Sequence, residues 1–154
     1  MRIRKIISLN DLRNINILPR PIVLVPMAAD LLHHGHIRIL KKSSHLGSVV
    51  VGLMTDKALK KYKGNPFLKF EYRKEILKEI KLISYIIPIH KLNFVDISRV
   101  IKPDYFVHGT DWRRGVQKNV RKEIMTCIKE WQGKVIEFPY SKGISSTKLK
   151  KKQQ

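Results

Sequence analysis

Pro21-Ile22-Val23-Leu24-Val25-Pro26, followed closely by Asp30-Leu31-Leu32-His33-His34-Gly35-His36, sets an apolar run just ahead of an H-x-G-H tetrapeptide. The run reads as a buried strand and the tetrapeptide as the start of the next helix, the junction at which α/β proteins hold phosphates. Gly35 permits a close backbone approach. The helix start directs unpaired N–H groups and its positive dipole end at an anion. His33 and His36 add two imidazole donors beside the same point, which suits stabilisation of the non-bridging oxygens of a phosphorus under attack.

Outward from this junction, short apolar runs alternate with stretches of helical period. Strands are expected at 22–26, 49–54, 85–89, 105–107 and 135–138, and helices at 35–44, 70–81, 96–101 and 117–131. The last helix is the clearest, because Val120, Ile124, Cys127, Ile128 and Trp131 share one face and Gly133 follows as a stop. This order predicts an α/β fold: a Rossmann-like, doubly wound, five-stranded parallel sheet with helices on both faces. His33 and His36 follow the first strand, the segment from His108 to Trp112 follows the fourth, and Gly143 to Thr147 follows the fifth. All three converge at the C-terminal edge of such a sheet.

The 154 residues suit one domain. Residues 1–20 read as an N-terminal extension, 21–149 as the domain and 150–154 as a basic tail. Thirty-two Lys and Arg against twelve Asp and Glu give a formal charge of +20, a field that concentrates anions such as nucleotides, phosphorylated metabolites or nucleic acid. A nucleic-acid-binding module is disfavoured, since the chain lacks a recognition motif and the interleaved aromatics of a single-strand binder. The lone Cys127 excludes an internal disulfide and suits a reducing compartment. The chain has no secretory leader pattern and no run long enough for a membrane span, so a cytoplasmic protein without a membrane partner is expected.

Three further constellations carry chemistry. Gly143-Ile144-Ser145-Ser146-Thr147 precedes a short helix, where a serine serves either as an N-cap or as a phosphate ligand. The charged segment from Asp56 to Lys63 reads as a loop leading toward the same cleft; Lys63, with Lys60 and Lys61 as competitors, is the candidate to stabilise a leaving pyrophosphate or an incoming anion. Arg73 offers a planar fork to an anion, or pairs with Glu71 or Glu75. Zinc is disfavoured for the histidines, because no cluster of Cys, Glu or Asp completes a coordination sphere. Asp30 is better read as a cap at the strand end or an aid to the His pair.

Taken together, H-x-G-H, the Lys segment followed by Glu71-Tyr72-Arg73, His108-Gly109-Thr110-Asp111-Trp112 and the terminal G-I-S-S-T resemble the cytidylyltransferase branch of the nucleotidyltransferase superfamily. In that branch, glycerol-3-phosphate and choline-phosphate enzymes carry an Arg three residues before the Gly of R-T-x-G-I-S-T; Tyr140 occupies that position here. The segments 139–147 and 109–117, with Ala28-Ala29-Asp30, are instead similar to cytidylyltransferases associated with phosphoenolpyruvate phosphomutase, although Thr110 departs from the Asp usual there.

The resemblance implies transfer of CMP from CTP to a small phosphonate such as 2-hydroxyethylphosphonate, with release of pyrophosphate. Glycerol-3-phosphate is the alternative acceptor, and an adenylyltransferase is a weaker alternative. It further implies Mg²⁺ carried on triphosphate oxygens and water, and a homodimer. His33, His36, Lys63, Ser146 and Thr147 would be catalytic. Met27, Ala28, Ala29, Gly35, His108, Gly109, Asp111, Trp112, Gly143, Ile144 and Ser145 would hold the nucleotide. Asp30, Lys60, Lys61, Arg73 and Tyr140 would meet the acceptor. An acceptor oxygen that is already ionised requires no general base, so positioning and charge stabilisation suffice.

Overall fold

The computed structural model describes residues 5–6, 18–139 and 141–152. Tyr140 and most of the N-terminal extension lie outside the described residues. The elements run β1 (Lys5–Ile6), β2 (Ile22–Met27), α1 (His34–Ser44), β3 (Ser48–Met54), α2 (Asp56–Lys63), α3 (Phe70–Lys78), β4 (Tyr85–Ile89), α4 (Val95–Ile101), β5 (Tyr105–Gly109), α5 (Lys118–Cys127), β6 (Lys134–Phe138) and α6 (Ser146–Lys151). The five expected strands are all present and parallel, and β1 from the extension adds a sixth at the edge, giving the order β1-β4-β3-β2-β5-β6.

Both sheet faces are covered, which is why the strands read as near-continuous apolar runs instead of alternating ones. Val23 and Val25 of β2, with Val49 and Val51 of β3, pack on the side that holds Leu40 of α1 and Leu77 of α3. Leu24, Val50, Ile87 and Phe106 face the other way, toward Ile97 and Ile101 of α4 and Ile124 and Cys127 of α5.

The segment read as a charged loop is a helix, α2. Thr55 caps it by accepting from the Ala58 N–H at 3.3 Å. Its apolar face consists only of Ala58, Leu59 and Tyr62, packed near Met54, and intervening lysines conceal that short face in the sequence. Helix α3 ends at Lys78, short of the expected 81. The last long helix is α5 with single 3₁₀ turns at Gly115–Gln117 and Ile128–Trp131.

Strand order reverses at β2, which is flanked by β3 and β5. Against β3, β2 is in register from Ile22 to Met27, but against β5 only Val23 and Leu24 pair. Beyond that point the two strands separate. Pro26, lacking an N–H, has no ladder hydrogen bond to donate there. The opening at the C-terminal ends of β2 and β5 is the mouth of the candidate cleft.

Candidate active site

A cavity of about 360 Å³ fills this opening, walled by Val25 to Ala28 on one side and Val107 to Gly109 on the other. His36, Lys63, Asp111, Ser146, Thr147 and Lys150 bring polar groups to it, while Met54, Leu59 and Phe94 make an apolar portion.

The H-x-G-H segment builds its own scaffold. His33 is the N-cap of α1, and its Nδ1 accepts from the Gly35 N–H at 3.1 Å. In return the His33 N–H donates to Nδ1 of His36 at 3.1 Å. Both Nδ1 atoms are thus acceptors, so each neutral ring carries its proton on Nε2. Burial pushes the His36 pKa down to about 4, with neighbouring His33 and Lys63 adding to the effect, and burial also lowers His33. Both rings are therefore neutral Nε2–H donors near pH 7. Nε2 of His33 is buried with no hydrogen-bond partner, a donor whose desolvation costs about 1–3 kcal/mol until an acceptor arrives. The rings lie with centroids 4.1 Å apart.

One expectation is corrected here. The first amides of α1 do not stand open to an anion: Gly35 donates to the His33 ring, and His36 and Ile37 donate to the His33 carbonyl. Side chains, not backbone, present the donors. Gly35 is required beneath them, because a Cβ there would lie 2.8 Å from Cε1 and 2.9 Å from Nδ1 of His33.

Opposite the histidines, Ser145 caps α6 by accepting from the Lys148 N–H at 3.1 Å, and Gly143 at φ +80° makes the turn into it. Ser146 Oγ donates to the Leu31 carbonyl at 3.2 Å, tying α6 to the β2–α1 loop. Lys150 reaches Asp30 at 2.5 Å. Asp30 also accepts from the Phe67 and Leu68 amides at 2.8 and 2.9 Å. Burial would raise its pKa, but Lys150 and the two amides outweigh that and hold it below the usual range. Lys63 Nζ lies 5.1 Å from the Tyr62 ring centre, and partial desolvation, with Lys150 nearby, lowers its pKa against the pull of Asp111 and Asp30.

On the far wall, His108 stacks on Trp112 at 4.2 Å and 5°, and Trp112 stacks on Phe106 at 5.5 Å and 7°. Trp112 Nε1–H donates to Glu137 at 2.6 Å, and Arg121 Nε donates to the same oxygen at 2.6 Å. Arg113 holds the other oxygen through its Nε at 2.9 Å. Burial pushes Glu137 up, but Arg121, Arg113 and Trp112 overcome this and bring its pKa to about 2.

Of the sequence candidates, Met27, Ala28, Asp30, His36, Lys63, His108, Gly109, Asp111, Ser146 and Thr147 meet at the cavity. His33 stands behind His36, and Gly35 beneath the ring of His33. Trp112 and Ala29 are buried in the core and support the wall without lining it. Gly143, Ile144 and Ser145 shape the α6 turn, also off the wall. Lys60 and Lys61 are exposed on α2 and point elsewhere, which leaves Lys63 of the three. The acceptor role for Arg73 is corrected: it is 1% exposed, donates to the carbonyls of Leu68, Ala28 and Met54, and pairs with Asp56 at 2.7 Å. Its donors are spent on holding the loops together. Asp30 likewise has a carboxylate committed to amides and Lys150. Lys150, Gln117, Tyr62 and Phe94 line the cavity without having been singled out from sequence. Gln117, followed in sequence by Lys118 and Asn119, carried no distinguishing signal, because its burial comes only from the fold.

A cavity with neutral imidazole donors at one end, lysines beside them and a largely neutral far wall fits a nucleoside triphosphate whose α-phosphorus is attacked. The comparisons agree. The family model described as cytidylyltransferase-like matches residues 28–152. The chain is 35% identical over 125 residues to a glycerol-3-phosphate cytidylyltransferase from Bacillus spizizenii, covering 79% of this chain and 88% of that protein. It is 26% identical over 136 residues to a D-beta-D-heptose 1-phosphate adenylyltransferase from Bordetella bronchiseptica, covering 86% and 81%. Among solved structures, the lipopolysaccharide core biosynthesis protein from Thermoplasma volcanium superposes with a TM-score of 0.64 at 25% identity, over 80% of this chain and 98% of that one. The chain belongs to the cytidylyltransferase-like family and is a nucleotidyltransferase.

Proposed function

We propose that the protein transfers CMP from CTP to the phosphate of a small polyol phosphate, glycerol-3-phosphate being the first candidate, and releases pyrophosphate. The observation that carries this reading is the similarity to the Bacillus spizizenii enzyme along 88% of its length. An anionic acceptor oxygen attacks the α-phosphorus, a new P–O bond forms, and the bond to the pyrophosphate oxygen breaks. The attacking oxygen carries no proton, so no general base is needed. Nε2–H of His36 and of His33 stabilises the charge that grows on the equatorial oxygens, and Lys63 and Lys150 face the departing pyrophosphate. Ser146 and Thr147 close the α6 side.

Mg²⁺ belongs to the proposal as an ion carried by the triphosphate, where it neutralises charge on the phosphate oxygens. The carboxylates fit that role and not a resident cage: Asp30 is occupied by amides and Lys150, and Asp111, its side chain 42% exposed, lines the cavity with Oδ1 3.8 Å from His108 Nδ1. A homodimer is also proposed, supported by exposed Tyr72 and Ile76 one turn apart on α3, and light scattering tests it.

A second reading, a phosphonate acceptor such as 2-hydroxyethylphosphonate, is favoured by Tyr140 at the position where glycerol-3-phosphate and choline-phosphate enzymes carry Arg. Pyrophosphate release across CTP, ATP, UTP and GTP, each with glycerol-3-phosphate, phosphocholine and 2-hydroxyethylphosphonate, separates the readings. A kcat/KM for CTP with glycerol-3-phosphate at least about tenfold above the phosphonate pair, some 1.4 kcal/mol in transition-state binding, sustains the first. The reverse ratio selects the second, and turnover of ATP alone rejects both.

A further inference from the structure

The far wall of the cavity differs in chemistry from the phosphate end. His108, Gln117, Phe94 and Val107 meet there, with the Asp111 carboxylate 3.8 Å from His108 Nδ1. Gln117, 6% exposed, adds a side-chain amide to this wall. A Gln amide can flip, however, so by itself it accepts either arrangement of donors and acceptors.

His108 cannot adapt in that way. Its Nδ1 stands 3.0 Å from the Gly109 carbonyl oxygen, which can only accept, so Nδ1 carries the ring proton and Nε2 carries the lone pair. The plane of the ring is fixed because it lies flat on Trp112, whose own Nε1–H is tied to Glu137, and Glu137 is gripped by Arg121 and Arg113; within that plane the Gly109 bond sets which edge faces the backbone. Burial keeps the imidazole pKa below its ordinary value, with the Gly109 bond and Asp111 opposing. The result is a fixed, uncharged acceptor at the end of β5, across the β2–β5 opening from the donors of His36.

We propose that His108 Nε2 reads the exocyclic amino group of the nucleobase and selects a cytosine over a uracil nucleotide, with Glu137 acting through Trp112 as the positioning residue. This deepens the cytidylyltransferase reading and rests on it. Cytosine presents an N–H₂ donor where uracil presents a carbonyl acceptor, so a lone pair held in place bonds to the first and opposes the second. A wall of neutral side chains with a carboxylate beside them also suits a base better than a phosphate.

The test is equilibrium binding of CTP and of UTP by calorimetry in Mg²⁺ without acceptor, so that turnover and acceptor identity do not enter. Wild type binds CTP at least about tenfold more tightly than UTP, the span of one well-placed hydrogen bond. His108→Phe keeps the stacking face but removes the lone pair; CTP binding weakens by about that factor and UTP binding changes less than about threefold. His108→Asn supplies an amide that can turn to donate, so the two affinities converge through a gain in UTP; this arm decides the matter if the Phe variant does not fold. Glu137→Gln narrows the ratio partway and alters the near-UV circular dichroism of the Trp112 stack. A folded His108→Phe with the wild-type ratio overturns the inference and leaves the cytidylyltransferase reading standing. A wild type that binds ATP but neither pyrimidine nucleotide overturns both.

Discussion

Gly35→Ala isolates the geometry of the histidine pair from its chemistry. An added Cβ would stand 2.8 Å from His33 Cε1, where ordinary contacts begin at 3.4 Å. The imidazole must therefore retreat by about 0.6 Å, and it cannot do so while Nδ1 keeps its bond to the residue 35 amide. Losing that cap costs about 1 kcal/mol, but replacing a helical Gly by Ala returns up to about 1 kcal/mol, so the folded state is little changed. Catalysis is far less tolerant, since misplacement by about 1 Å costs on the order of 100-fold and loss of one charge-stabilising donor on the order of 100–1,000-fold. The expected outcome is an unfolding midpoint within a few degrees of wild type and a kcat for pyrophosphate release lower by about 30–300-fold. Calorimetry and a coupled pyrophosphate assay at saturating CTP and acceptor measure the two. A kcat within threefold of wild type would refute the claim that His33 is held at its working position from below.

Three other outcomes are expected. Titration of ¹⁵N-labelled protein should find His36 neutral, with its proton on Nε2, down to about pH 4, whereas an unfolded histidine protonates near pH 6.5; because the unfolded chain then binds more protons, stability is full above pH 6.5 and declines as pH falls toward 4. A midpoint near 6.5 in the folded protein would contradict the cap geometry. Lys63→Ala should lower kcat by about 10–1,000-fold while Lys60→Ala and Lys61→Ala stay within about twofold, as steady-state kinetics of the three variants will decide; equal losses would mean that α2 acts only through its overall charge. Arg73→Met, which strands three carbonyl oxygens and Asp56, should cost about 3–5 kcal/mol of unfolding free energy in urea; a stable variant with raised acceptor KM would return Arg73 to the acceptor site.

The strands and the site-bearing loops were legible because both faces of a parallel sheet are buried, and five short apolar runs separated by helical period admit few other folds. Helix α2 was not, because three apolar residues among four lysines carry too little period to register, and its stability comes from packing near Met54 and from the Thr55 cap. Lys150 stayed hidden for a different reason. A lysine in a lysine-rich tail looks like every other, and its distinction lies in Asp30, a partner far away in sequence that only the fold brings to 2.5 Å. Arg73 misled in the opposite direction: an Arg beside acidic residues reads as a surface anion ligand, yet the turns around it left carbonyls in need of donors. Glu137, an acid inside the apolar strand Lys134–Phe138, was a visible anomaly whose meaning depended on Trp112 and Arg121 being across from it.

The large positive charge of the chain does not explain the chemistry of the cleft. Within the cavity Lys63 and Lys150 are set against Asp30 and Asp111, so the local balance of formal charge is near zero while the chain as a whole carries +20. In the proposed reaction the equatorial oxygens of the α-phosphorus meet uncharged imidazoles with their protons locked on Nε2, while the lysines face the leaving group. This assignment has an energetic logic. An imidazolium would attract the ground-state triphosphate as strongly as the transition state, lowering KM without raising kcat. A neutral donor in a partly desolvated site bonds weakly to the substrate oxygens and more strongly as charge develops on them, so its contribution falls mainly on the barrier. The same cap that fixes the tautomer also opposes protonation, because an N–H at Nδ1 would face another N–H from the backbone. Local helix capping, a device of folding, thus sets the protonation state on which the proposed catalysis depends.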